Sequence, residues 1–200
     1  MITIRPERPS DIDAREALLD QAFGEARYRK SSERLREDRL PAEGLAFVAA
    51  EGRRVLGTAR LWNIACGNGA QALLLGPVAV AADQRGAGIG AALVRRAIAA
   101  ARKLGYGAMV LVGDAPYYSR FGFTAEKTGA LWMPGPFERH RLLGLELKPG
   151  GLDGARGLIA ATGRHSASKT RVNALMEAKP DLAALVAQDR PAARRSHRAA

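Results

Sequence analysis

The stretch "QALLLGPVAV" at residues 71–80 is apolar at almost every position and has no polar face to turn to water. Such a run belongs to a strand in the middle of a sheet, covered on both sides. A second one, "AMVLVGD" at 108–114, follows after an interval that one long helix fills. In that interval Ile89, Leu93, Ala97, Ala101 and Leu104 recur at helical spacing on one face. Arg95, Arg96, Arg102 and Lys103 occupy another, and Gly105 is the stop. Two doubly buried strands around an amphipathic helix require a layered α/β architecture.

The remaining segments fit around that unit. "MITIRP" alternates as a first strand, and Ser10 or Asp11 is placed to cap a helix carrying Ile12, Leu18, Leu19 and Phe23. "KSSERLREDRL" predicts a second, mostly polar helix. "GLAFVAAEG" and "RRVLGTARLWNIA" predict two strands joined by a turn at Glu51-Gly52. After the central helix come a short helix, "APYYSRF", and two further strands, "GFTAEK" and "RLLGLELK". The expectation is one mixed α/β (α+β layered) domain over residues 1–150.

Beyond Pro149-Gly150-Gly151 the composition shifts. Residues 151–200 are expected to be a basic C-terminal extension, partly helical or mobile. "SKTRVNALMEAK" and "DLAALVAQD" are its amphipathic candidates, divided by Pro180. Packing on the domain and self-association as a homodimer both suit it, and no catalytic role is expected of it.

Composition removes several classes of function. With 47% apolar residues in 200, the chain can bury a real core. No apolar run approaches membrane-spanning length and the amino terminus shows no signal-like apolar segment, so no membrane partner and a cytoplasmic location are expected. Cys66 is the sole cysteine, which excludes an internal disulfide. His140, His165 and His197 have no cysteine at metal-ligand spacing, so no metal is expected. The net charge of +11 attracts polyanions and phosphorylated cofactors, yet it is spread along the chain, and no nucleic-acid-binding motif accompanies it.

The join at "DQRGAGIGAALVRRAI", residues 83–98, carries the chemistry. A helix start leaves several backbone N–H groups without partners and bears the positive end of the helix dipole, so it holds phosphate oxygens if the loop lets them approach. Gly86, Gly88 and Gly90 have no Cβ to obstruct them, and Arg85 adds a positive group. The alternative is a tight turn whose glycines only permit close helix-to-strand packing. A dinucleotide-binding turn is a further rival, since "GAGIGA" approximates G-x-G-x-x-A and Asp114 ends the next strand. Against it, "AADQR" separates the glycines from the preceding strand and several elements come before it. A kinase-type phosphate loop fails because no G-K-[ST] follows.

The stretch "RGAGIGAALVRRAIAAARKLGYGAMVLVGDAPYYSRFGF" resembles the GNAT superfamily of N-acetyltransferases. The family's cofactor loop, [QR]-x-x-G-x-[GA], matches Arg85, Gly86, Ala87, Gly88, Ile89 and Gly90. Its later Y-x-x-x-G-F matches Tyr118 to Phe123, in the family's order with a helix and a strand between. "GDAPYYSRFGF" followed by "MPGPF" and "LGLEL" further resembles a bacterial branch of these enzymes. The resemblance implies a mixed, mostly antiparallel central sheet with helices on both faces and two parallel strands splayed at the cofactor site. It implies acetyl-CoA as co-substrate, with its pyrophosphate on residues 85–90. Its pantetheine would bond to backbone at Val78, Ala79 and Val80, where Gly76-Pro77 marks a bulge or a simple kink.

Acetyl transfer to an amine requires a neutral amine, a polarised thioester carbonyl and a proton for the leaving thiolate. By the resemblance Tyr118 is the general acid, and a backbone N–H near Val80 is the polarising donor. Asp114 as cap, Pro116 in the first turn and Gly122 as stop place Tyr118 in a short helix beyond a strand end. Tyr118 also belongs to an aromatic cluster with Tyr117, Phe121 and Phe123, so core packing is its alternative role. Tyr117 is expected to be packing or substrate wall. Asp83, Asp114, Glu51 and a bound water stay open as the general base, and Trp62, Trp132 and Phe137 as acceptor-pocket walls or core. The expected function is transfer of acetyl from acetyl-CoA to a primary amine of a small molecule or a protein. A CoA-binding sensor without turnover and a basic nucleic-acid binder are the alternatives.

Overall fold

The computed structural model describes residues 1–166. Its longest strands, β3 (Arg54–Ala65) and β4 (Gln71–Val80), run antiparallel at the centre of a seven-stranded sheet. Outward from β3 lie β2 (Ala46–Glu51) and β1 (Thr3–Pro6), both antiparallel. Outward from β4 lie β5 (Ala108–Val112) and β7 (Leu142–Glu146). Only the β4–β5 pair is parallel within this sheet, because the helix α2 (Ile89–Lys103) carries the chain across between them.

Strand alternation divides the core into two faces. Leu73 and Leu75 of β4, Met109 and Leu111 of β5 and Phe47 of β2 meet Leu93, Val94, Ala97 and Ala101 of α2. On the other face Val48, Val55 and Ala79 meet Leu18 and Leu19 of α1 (Ile12–Phe23). Leu74 and Val110 turn to that same side, under Leu35, Leu131, Leu142 and Ile159. Helices therefore cover both faces of a mostly antiparallel sheet. No described helix is long and apolar enough to cross a membrane.

Four local expectations need correction. Residues 30–40 form successive turns rather than a helix: Glu33, Arg36 and Arg39 each donate their N–H to the carbonyl three residues back. Leu35 is the segment's deeply buried apolar residue, so no helical stripe forms, and Asp38 at φ 59° ends the run. "GFTAEK" is no strand; Thr124 makes an isolated bridge with Gly144 before a turn from Ala125 to Thr128. Leu104 leaves the apolar face of α2 as its cap and is exposed.

Finally, the packed chain runs past residue 150. β8 (Gly157–Leu158) pairs with β6 (Leu131–Trp132), and β9 (Ala160–Ala161) pairs with β3. Leu152, Ala155 and Ile159 are buried, and the compact unit extends to Arg164. The two amphipathic candidates of the extension lie outside the described residues.

Candidate active site

The site begins where β4 and β5 part. They pair at Leu73 with Met109 and Leu74 with Val110, and no further. The cause lies at Gly76-Pro77. Between the pairs Leu61–Leu75 and Ala59–Val78 the β3–β4 register shifts, so that two residues of β4 face Arg60 alone. Pro77 has no N–H for a ladder. The indole Nε1–H of Trp62 on β3 donates to the Gly76 carbonyl at 2.5 Å and holds the bulge in place. Past it, Val78 and Val80 are half-buried where residues 72–75 are fully buried. The β4 edge that faced β5 has no strand partner from there on.

Two adjoining clefts follow this split. One, about 280 Å³, is lined by Val80, Gln84, Arg85, Gly86, Gly88, Ile89, Gly90 and Ala91, with Tyr117 and Arg120 across from them. Gly86 at φ 84° and Gly88 at φ 79° take backbone conformations that side chains rarely adopt, and a Cβ on either would meet nothing within 4 Å. The space above them is open, and the first N–H groups of α2 face no helical partner. Ile89 points inward and packs in the core, so its contribution here is backbone.

The other cleft, about 230 Å³, is lined by Leu74, Gly76, Pro77 and Val78 of β4, and by Gly113, Asp114 and Tyr118 beyond the end of β5. Phe23, Arg27, Lys30, Ser32, Glu33, Arg36 and Arg141 complete it. Tyr118 ends α3 (Ala115–Tyr118), whose first turn carries Pro116 and whose cap is the Asp114 carboxylate, accepting from Tyr117 N–H at 3.3 Å. Gly122 at φ 88° then turns the chain back. Gly113 makes room for the Tyr118 ring: a Cβ there would lie 2.8 Å from the ring's Cδ2. Burial, helped by Tyr117, pushes the Tyr118 phenol up to about 12, against the pull of Arg141. The phenol is therefore protonated at neutral pH.

The structure thus brings most of the residues singled out in the sequence to this split. Val78 and Tyr118 share one cleft; Val80, Arg85, Gly86, Gly88, Ile89 and Gly90 share the other. The side chain of Ala79 points to the opposite face and packs against α1. Ala87 is exposed and lines neither cleft. Tyr117 lies on the loop side, its hydroxyl 3.0 Å from where a Cβ on Gly90 would stand, with the Arg120 guanidinium 4.5 Å from its ring centroid.

Of the candidate acids, Asp114 alone lines the tyrosine cleft. Asp83 is paired with Arg54 at 2.7 Å and Glu51 with the amino terminus at 2.9 Å. Trp62 is core and supports the bulge. Trp132 and Phe137 stack edge to face at 6.2 Å under Arg139, away from both clefts. Lys30, Glu33, Arg36 and Arg141 escape a reading of the sequence, because no motif holds them and three of them lie in the turns of residues 30–40. Among the described residues no group of three or more His, Cys, Asp or Glu gathers as metal ligands would.

Comparison with known proteins bears on the same residues. A model of the acetyltransferase (GNAT) family matches residues 12–123. The uncharacterized N-acetyltransferase YhbS of Escherichia coli K12 is 33% identical over 162 residues, which cover 78% of this chain and 93% of that protein. The crystal structure of E. coli YhbS in complex with CoA superposes with a TM-score of 0.69 at 30% identity, covering 80% of this chain and 89% of that one. A GNAT family acetyltransferase from Brucella melitensis in complex with acetyl-CoA gives 0.61 at 29% identity, covering 81% and 96%.

Proposed function

The chain belongs to the acetyltransferase (GNAT) family, and from that premise we propose how its residues divide the work of an acetyl-CoA-dependent N-acetyltransferase. The observation that carries this reading is the unpaired β4 edge, whose Val80 lines the glycine-loop cleft and whose Val78 lines the cleft of Tyr118. The residues fit the co-substrate: positive-φ glycines with open space above them suit a pyrophosphate, and an unpartnered strand edge suits an amide-bearing pantetheine.

The backbone at 86–90 and the Arg85 side chain hold the diphosphate. Val78, Ala79 and Val80 orient the pantetheine through their main chain, so the inward side chain of Ala79 is no obstacle. When bound, acetyl-CoA supplies an activated acetyl group as a thioester. A β4 N–H near Val80 is aimed at the thioester carbonyl and polarises it without reorganising. The Tyr118 hydroxyl, protonated and half-enclosed, donates to the departing sulfur, and the proton released by the acceptor amine balances the one taken up by the thiolate.

The acceptor is a primary amine of a small molecule or a protein, entering through the cleft between residues 23–36 and Tyr118. Free-thiol release from acetyl-CoA with a panel of amines, compared for the wild type and Tyr118→Phe, tests the reading. Turnover should fall steeply while acetyl-CoA affinity holds; equal turnover by the variant removes Tyr118 from the chemistry.

A further inference from the structure

The tyrosine cleft is lined by four cations, Arg27, Lys30, Arg36 and Arg141, against two carboxylates, Glu33 and Asp114. Both carboxylates are already engaged: Glu33 Oε2 accepts from Arg36 Nη2 at 2.8 Å, and Asp114 caps α3. Arg27 is held by Glu16 and Asp20 of α1, at 2.5 and 2.9 Å. Of the other three cations, Arg36 and Arg141 each have one carboxylate partner. Lys30 has none within ion-pair distance among the described residues, and its ammonium rests 4.6 Å from the Phe23 ring centroid. Arg36 is buried, its Nε has no partner, and its Nη1 lies 3.8 Å from where a Cβ on Gly76 would stand, at the β4 bulge. Arg141 approaches Glu138 only at 3.6 Å.

Arg36 is the buried member, with Glu33 as its one carboxylate partner and an Nε left unsatisfied, while Arg141 is half-exposed and Lys30 exposed. A buried cation with an unsatisfied N–H beside two accessible ones favours an entering anion. Burial, with Arg36 and Arg141 nearby, holds Lys30 below its ordinary value, as expected of a cation in positive surroundings. The same surroundings repel a second ammonium on an acceptor and favour the neutral form of its reacting amine.

Resting on the acetyltransferase reading, we propose that the acceptor is a compact amine that also carries an anionic oxygen group, a carboxylate or a phosphate. Lys30, Arg36 and Arg141 grip that group while the amine faces the thioester held along β4. A cleft of about 230 Å³ suits a molecule of this size better than a folded protein segment.

The test compares matched acceptors that differ only by the anion: phenylalanine against phenethylamine, and glucosamine 6-phosphate against glucosamine. The first pair reports a carboxylate, the second a phosphate. In at least one pair the anionic member should be preferred tenfold or more in kcat/KM. That ratio should collapse toward one in Lys30→Gln and recover in Lys30→Arg, with acetyl-CoA affinity measured by calorimetry as the control. An enzyme that binds acetyl-CoA yet shows ratios of one or below, or turns over neither anionic member, overturns the inference and leaves cofactor use intact. A preference that survives Lys30→Gln overturns the grip assigned to Lys30. Failure to bind acetyl-CoA overturns the acetyltransferase reading and this inference with it.

Discussion

The indole nitrogen of Trp62 stands 2.5 Å from the carbonyl oxygen of Gly76, so a core residue of β3 fixes the point at which β4 leaves β5. Replacing Trp62 by Phe keeps most of the apolar contact and removes the donor, leaving a carbonyl unsatisfied at the bulge. The expected loss is about 1–3 kcal/mol of unfolding free energy in a urea titration. The KM for acetyl-CoA should rise as well, because the strand edge that orients the cofactor would wander. Unchanged stability and KM would show that the bulge stands without the indole.

Gly113 and Tyr118 are coupled by space alone. A Cβ at 113 would intrude on the ring and lie 2.9 Å from Leu111 Cδ1. Gly113→Ala should therefore cost about 1–3 kcal/mol through overpacking. It should lower kcat well before it weakens acetyl-CoA binding, because the glycine loop is built elsewhere. Steady-state kinetics beside calorimetry separate the two effects.

Tyr118→Phe should reduce kcat by roughly 10²–10⁴-fold, the usual contribution of a positioned proton donor. A second consequence concerns pH. The folded protein holds this phenolic proton up to about 12, the unfolded chain only to ~10. Stability from this group is complete below pH ~10 and is lost as pH rises toward 12. Thermal melts across that window should fall more steeply for the wild type than for Tyr118→Phe, and parallel curves would contradict the burial of the phenol.

At Gly88 the φ of 79° makes substitution strained whatever the space. Gly88→Val should cost about 1–2 kcal/mol of stability from the left-handed conformation and raise the acetyl-CoA Kd at least tenfold by blocking approach to the first N–H groups of α2. Calorimetric titration measures it, with Gly129→Ala, remote from both clefts and open to a Cβ, as the control.

Much of this arrangement is legible in the sequence. The α2 stripe, the two doubly apolar strands and the paired motifs at 85–90 and 118–123 are local patterns, and periodicity with glycine placement carries them. The β2–β3 hairpin, whose turn is Gly52-Arg53, one residue beyond the expected Glu51-Gly52, and the Asp114, Pro116 and Gly122 signals around Tyr118 are of the same local kind. The cationic wall was not legible. Lys30 and Arg36 sit in a stretch whose charges suggest an exposed helix, and only tertiary packing around Leu35 turns that stretch inward. For Trp62 the sequence left pocket wall and core open, because the carbonyl that takes its N–H lies on another strand. β8 and β9, at two residues each, are too short to leave a periodic signal.

The central claim is that the amides opening α2 cradle the diphosphate of coenzyme A, and a crystal structure of this protein grown with CoA tests it most directly. Phosphate oxygens are expected within hydrogen-bond distance of the backbone N–H groups between Gly86 and Gly90, with the thiol end beside Tyr118. A diphosphate seated anywhere else, or a thiol end distant from that phenol, would contradict it.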